Sequence, residues 1–324
     1  MAKNQPTPLE TLSIGIDLGA TKIAGALVSS TGHILEDREV PTHPAEGPTA
    51  VIGRIGLLVN QLADEANHSS TPLIGAGIGT PGCVDIIQGV VSNAINLAWQ
   101  EVRLVEELRS YLPELPIWIG KDADANALGE YYFGAARGCT DFVYISIGSG
   151  LGCGIFSGGR LLTGSSGYAG ELGHLSLDPD GLPCACGRHG CAETILSGPG
   201  LVALFKRMSA SNRDSDQTDI EETTPKQILN KAQRNDKLSV AVLAEFGRHL
   251  GTVIAICTSL LNPEMIVVGG GLGQAAFNWI ILAARQELAR LVLPIHAFPR
   301  IAPSLQKTSA LGAASLGWYH KERR

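Results

Sequence analysis

The sequence lacks an apolar run approaching the ~20 residues a bilayer span requires; its longest stretches, such as Gly251 to Leu261, fall well short. Nor does the amino terminus carry the basic-then-apolar pattern of an export signal. Both absences point to a soluble, cytoplasmic protein without a membrane partner. A basic excess is missing as well: 25 Lys+Arg stand against 31 Asp+Glu, a net charge of −6. That balance offers nothing to attract nucleic acid. Charged residues make up only 17% of the chain and hydrophobic ones 44%. Over 324 residues this is enough apolar volume for two cores, which excludes a disordered or fibrous protein. No G-x-x-x-x-G-K-[ST] phosphate loop occurs. Gly77-Ile78-Gly79-Thr80-Pro81-Gly82 fits the dinucleotide pattern, but Pro81 and the β-like Cys83–Ile87 follow where a helix should begin, so a Rossmann site is rejected.

Glycine, by contrast, is abundant: 39 residues, about an eighth of the chain, against a typical ~7%. Many turns must therefore approach something closely. The seven cysteines are an odd number in a chain too large to need disulfide staples, and Cys184, Cys186 and Cys191 crowd together. In a reducing compartment such crowding points to metal.

Along the chain, Ser13–Asp17 and Ile23–Val28 read as strands joined by the turn Leu18–Lys22, and His33–Pro41 as a third strand. Pro48–Asn67 spaces Val51, Ile55, Leu58, Val59 and Leu62 as a helix does. Leu73–Gly79 reads as a buried strand, Thr80–Gln100 as a loop, Val102–Tyr111 as a short helix, Ile117–Gly120 as a strand and Ala123–Ala136 as a helix. Near Gly138 the plan restarts, with strand Phe142–Ile147, glycine turn Gly148–Gly152 and a second strand from Gly154. The expectation is a duplicated α/β core in two lobes flanking a cleft: residues 1–137, completed by a helix within 306–324, and residues 138–305. Ser209–Thr224, nearly all polar, reads as a surface loop. Leu243 to Leu261 reads as an amphipathic to buried helix feeding strand Met265–Gly269, and Thr308–Tyr319 as the closing helix.

Five constellations are candidates to carry chemistry. The turn containing Asp17, Gly19, Thr21 and Lys22 combines close backbone approach, a hydroxyl, an ammonium and a carboxylate able to hold Mg²⁺ through water, although a plain hairpin also fits. Gly148, Ser149, Gly150 and Gly152 form a matching anion turn in the second half. Asp122 stands between a strand and a helix, where a carboxylate can take a proton from a hydroxyl or merely cap the helix. Asp124 reads as first-turn dipole stabilisation. His174 with Cys184, Cys186 and Cys191 makes a Cys₃His set suited to closed, structural Zn²⁺, with His189 as a rival fourth ligand. Glu171 and Glu193 flank that loop as paired acceptors for a polyol.

With these residues assembled, the chain resembles the ROK family of bacterial sugar kinases and repressors, within the actin-like, ribonuclease-H-like ATPase superfamily. The likeness covers roughly residues 13–320 and rests on DLGATK, GIGTPG, Asn93–Leu97, GSGLGCG, GELGH, CACGRHGCAE and the turn Gly269-Gly270-Gly271-Leu272. It implies a two-lobed ATPase fold and ATP-dependent transfer of a phosphoryl group to a sugar hydroxyl, commonly O6. Asp122 would be the general base. Glu171, His174 and Glu193 would bind sugar hydroxyls, with Asn96 and Gly82 nearby and His174 ligating zinc through its other nitrogen. The Asp17 and Gly148 turns would hold the ATP phosphates and Mg²⁺, and the turn of Gly269, Gly270 and Gly271 would approach adenosine. Homodimers or homotetramers are a further family expectation.

One departure stands out. The family usually reads Glu-Asn-Asp-Ala-Asn where this chain has Gly120-Lys121-Asp122-Ala123-Asp124. Lys121 donates hydrogen bonds but cannot accept them, and with Asp124 three residues away the expectation is that the two have exchanged roles as a pair. The leading expectation is glucose phosphorylation. Kinases of N-acetylmannosamine, N-acetylglucosamine, allose or fructose, and a non-catalytic sugar sensor, are the alternatives. The family's repressors carry an amino-terminal helix-turn-helix, and only about thirteen residues precede the first strand here.

Overall fold

The computed structural model describes residues 10–210, 223–294 and 297–323, and its contacts divide the chain into two units. The first comprises Met1–Arg137, Thr163–Tyr168 and Leu305–Arg324; the second comprises Gly138–Leu162 and Ala169–Ser304. Thr163–Tyr168, expected in the second half, groups with the first, where the backbone of Gly167 runs against the carbonyl of Val84.

In the first unit, β1 (Leu12–Leu18) and β2 (Lys22–Ser29) form the expected hairpin and β3 (Ile34–Pro41) adds to its edge. Helix α1 (Pro48–Asn67) starts after Gly47 with Pro48 in its first turn, where a missing N–H costs nothing. The apolar positions that predict it are all buried. β4 (Leu73–Thr80) lies parallel to β1. The segment expected to be a loop instead forms a small antiparallel sheet of β5 (Cys83–Asp85), β6 (Val90–Ala94) and β7 (Trp99–Val102), which buries Val84, Val91, Trp99 and Val102 against the core. A short α2 (Leu104–Leu108) leads to β8 (Ile117–Lys121), parallel to β4, and then to α3 (Asp122–Phe133). The closing helix α8 (Ser309–Lys321) crosses the opposite sheet face from α1. Its backbone comes so near that a Cβ on Gly15 or Gly77 would lie 1.8 or 2.0 Å from an α8 carbonyl oxygen. Glycine is required there by contact, and part of the compositional excess is explained.

The second unit repeats the plan. β9 (Phe142–Ile147), β10 (Leu151–Ser157) and β11 (Arg160–Leu161) are antiparallel, followed by α4 (Gly198–Ala210), α5 (Pro225–Gln233) and α6 (Lys237–Leu261). β12 (Met265–Gly269) joins β9 in parallel, α7 (Gly271–Leu291) follows, and β13 (Arg300–Pro303) completes the sheet. The two five-stranded sheets have corresponding orders, β3-β2-β1-β4-β8 and β11-β10-β9-β12-β13. Most of the expected polar loop lies outside the described residues. The cap of α5 is described: Thr224 and Gln227 bond each other's backbone reciprocally. Helix α6 is longer than its apolar stretch suggests, and by length and composition alone it could cross a membrane. Val242, Leu243, Phe246, Leu250, Val253 and Ile254 are instead fully buried in this unit's core.

Candidate active site

In the first unit, parallel pairing sets Asp17, Gly79 and Gly120 side by side across β1, β4 and β8. The carboxyl ends of these three strands therefore open at one edge, where α/β sheets hold their ligands. Asp122, two residues beyond Gly120, is exposed there as the first residue of α3, and one of its oxygens accepts from the Ala123 N–H at 2.7 Å. The helix cap itself is Lys121, with no side-chain capping bond, so Asp122 does not serve as the cap. Asp17 lies close enough to sense Asp122. Burial, and then the negative charge of Asp122, push its carboxyl up to about 7 against a lowering by a Ser309 hydrogen bond and Lys22.

This cost yields a prediction. The Asp17 carboxyl has a reference pKa of 3.8 and about 7 in the fold, so ionising it opposes folding from just above the lower value and fully above the upper. In Mg²⁺- and nucleotide-free protein, Asp17→Asn should raise unfolding free energy by on the order of 3–4 kcal/mol at pH 8, a gain that vanishes toward pH 4. Denaturant unfolding at both pH values measures it; an unchanged or lowered stability at pH 8 would refute the assignment.

Around this edge, the Gly19 N–H donates to the Lys22 carbonyl at 3.0 Å and the Thr42 hydroxyl donates to the Gly19 carbonyl at 2.6 Å, fixing the turn that exposes Thr21. The Lys22 ammonium pairs with Glu39, an engagement the sequence did not reveal. Gly82 follows β4 in the turn to β5, packed on Ala94, and Asn96 is exposed in a single 3₁₀ turn, Ile95–Leu97. Lys121 and Asp124 are both buried, 3.9 Å apart. Removing either charge leaves the other buried, a cost of about 3 kcal/mol or more. Lys121→Asp with Asp124→Lys should recover part of that loss in thermal unfolding; a double variant no better than either single one would show that the two do not act as a pair.

In the second unit, the Gly148 N–H donates to the Gly150 carbonyl at 3.0 Å, closing the turn between β9 and β10. Ser149 stands at its tip and Gly152 lies in β10, paired with Ser146. Glu193 reaches this turn: its Oε2 accepts from the Leu151 N–H at 2.9 Å, and a Cβ on Gly150 would lie 2.5 Å from it. Glu171 is exposed just before the 3₁₀ turn Leu172–His174. Gly269 ends β12, and Gly270 and Gly271 open α7. Sequence reasoning missed the cavity beside these turns. It measures about 760 Å³ and is lined by Gly148 and Ser149, by Gly198, Pro199 and Val202 of α4, and by Leu272 of α7. The Gly198-Pro199-Gly200 run was its available signal.

The thiols of Cys184, Cys186 and Cys191 and a ring nitrogen of His174 all lie within 4.8 Å of one another. Cys186 and Cys191 are 3.6 Å apart at sulfur, and His174 Nδ1 is 3.7 Å from the Cys184 sulfur. Tetrahedral zinc with ~2.3 Å bonds would set its sulfurs about 3.8 Å apart, so the donor set fits the ion in chemistry and size. His189, the rival ligand, is exposed and stands outside the cluster. The loop depends on Gly190, whose φ is +63° and whose added Cβ would overlap the Asp178 carbonyl at 1.4 Å.

The sequence profile of the ROK family matches residues 13–319. The chain belongs to the ROK family. Among its relatives, a glucokinase of Halalkalibacterium halodurans is 30% identical over 96% of this chain and 95% of its own length. A putative xylose repressor of Caldicellulosiruptor is 31% identical over 87% of this chain and 70% of its own length. The crystal structure of a ROK family glucokinase from Streptomyces griseus, in complex with glucose and AMPPNP, superposes with a TM-score of 0.81 at 30% identity, covering 94% of this ROK chain and 98% of that one. The family thus includes both enzymes and regulators.

Proposed function

We propose that this ROK protein is an ATP- and Mg²⁺-dependent hexose kinase that transfers the γ-phosphoryl group of ATP to the 6-hydroxyl of glucose. The observation that carries the reading is the exposed Asp122 carboxylate at the strand edge shared with Asp17. Asp122 takes the proton of the sugar hydroxyl as its oxygen bonds to the γ-phosphorus and the bond to the bridging oxygen of ADP breaks. Such a transfer needs mainly positioning and charge neutralisation. Asp17, a partly buried carboxylate whose ionisation is made costly by burial and then by Asp122, would hold the Mg²⁺ shell through water; the ion would supply neutralisation of phosphate charge. The N–H groups of the Gly148–Gly150 turn would meet phosphate oxygens. The adjoining cavity, walled by Pro199, Val202 and Leu272, has the apolar character and volume for an adenosine.

For the sugar, Glu171 and the Nε2 edge of His174 stand beside the candidate zinc cluster, with Nδ1 directed to Cys184. Glu193 would contribute its remaining acceptor capacity while its Oε2 holds the Leu151 N–H. The ion would keep these groups in place without meeting the reaction. Similarity to the two glucokinases favours glucose among the hexoses. The deciding experiment is ADP release from ATP·Mg²⁺ with individual sugars; glucose binding without any turnover would instead indicate a sugar sensor.

A further inference from the structure

A second cavity, about 770 Å³, lies wholly within the first unit and outside every group assigned above. Its walls are the turn after β2, the carboxyl end of α3 and the segment that leads into α8. Arg137, Lys307 and His33 line it together with Asp37, and none of the four side chains forms a hydrogen bond or ion pair among the described residues. Opposite charges that share a cavity without pairing leave space for a molecule complementary to both. Ser30, Thr31 and Thr308 add hydroxyls, and Tyr132 and Phe133 an aromatic wall.

The frame is well fixed. Glu130, fully buried on α3, accepts from the Ala135 N–H at 2.7 Å and, through its other oxygen, from the Leu305 N–H at 3.2 Å and Gln306 Nε2 at 3.1 Å. One carboxylate thus ties the segment carrying Arg137 to the segment carrying Lys307. The cavity also touches the elements that hold the reactive edge. Thr308 caps α8 and the next residue, Ser309, hydrogen-bonds Asp17; α3 begins at Asp122 and ends at Phe133 in the cavity wall.

We propose that this cavity is an effector site for a phosphorylated sugar. Arg137 and Lys307 bind the phosphate, Asp37 accepts from sugar hydroxyls, and the aromatic wall takes a ring face. Charge-assisted contacts to phosphate are strong and geometrically selective. Occupancy is transmitted through α3 and the first turn of α8 to Asp122 and Asp17, so the ligand changes turnover without competing with the sugar substrate.

The test is calorimetric titration of the full chain with glucose 6-phosphate, at saturating glucose and a non-hydrolysable ATP analogue so that product cannot bind at the substrate site. A single remaining site is expected, weakened at least tenfold in the double variant Arg137→Gln, Lys307→Gln, which alters only exposed side chains and should unfold at the same temperature. Asp37→Asn should lower the preference for the sugar phosphate over inorganic phosphate, because it removes an acceptor for sugar hydroxyls and a repulsion felt by either phosphate. Complete loss of binding once glucose and nucleotide are present, or equal affinity in the double variant, would overturn the site. Inorganic phosphate binding as tightly as the sugar phosphate would overturn the ligand class. Because binding alone is read, these outcomes do not depend on whether the protein is a kinase; the effector role rests on the kinase reading, and an ADP-release rate at saturating glucose left unchanged by bound glucose 6-phosphate would overturn it.

Discussion

Asp122→Asn is expected to lower turnover by ~10²-fold or more while glucose and ATP still bind, because a positioned base contributes ~10²–10⁴-fold. The carboxamide keeps the size of the side chain and its carbonyl can still accept the Ala123 N–H at the start of α3. What it cannot do is accept a proton. Asp122 is exposed at the sheet edge and does not cap α3, so losing its charge costs the fold no more than the roughly 1 kcal/mol that a first-turn carboxylate gains from the helix dipole. Its neighbour should respond as well: with one negative charge removed, the Asp17 carboxyl is relieved of the second-largest influence holding it near 7, and its pKa should fall. Steady-state kinetics with calorimetric glucose binding checks the first statement. Near-normal kcat in a correctly folded variant would sink the base assignment.

Cys184→Ser should release the metal and loosen the loop from Glu171 to Glu193, weakening glucose affinity at least tenfold while leaving ATP binding nearly intact. The four donors lie within 4.8 Å of one another, and three ionised thiols that close repel one another, a repulsion the Arg188 guanidinium beside Cys186 offsets only in part without an ion. Structural zinc contributes folding energy directly, on the order of 10 kcal/mol in small zinc modules. Here it is asked only to order one loop, because each unit has its own apolar core elsewhere. Backbone hydrogen bonds such as Leu177 N–H to the Gly190 carbonyl and Cys184 N–H to the Arg188 carbonyl should keep part of the loop's shape after the metal leaves, so the expected loss is in sugar affinity and not in the fold. Elemental analysis with sugar titration checks this. Zinc-free protein with full sugar affinity would contradict the role given to the cluster.

Local pattern and tertiary assembly contributed unequally to what could be read from the chain. Helix α1 was legible because its apolar residues recur at the helical period and each proves buried. The Cys₃His cluster was legible because its cysteines fall within eight residues and thiolate chemistry has few other uses at that spacing. Strands β5 to β7 were not, since runs of three to five residues broken by polar positions look like a loop until they close on Trp99 and the core. Nor could the sequence show that Glu193 reaches Leu151, 42 residues away, or that Lys22 pairs with Glu39 across the β2–β3 edge. The apolar cavity beside the Gly148 turn draws its walls from four separated segments, none of which carries a signature alone. Residue type announces chemistry; only the fold says which partners each group meets.

The most direct test of the account is ADP release from ATP·Mg²⁺ by the purified protein across glucose, mannose, fructose, allose and the two N-acetylhexosamines. The account predicts strong turnover confined to glucose and abolished in Asp122→Asn. No turnover on any sugar, from protein that still binds glucose, would contradict it.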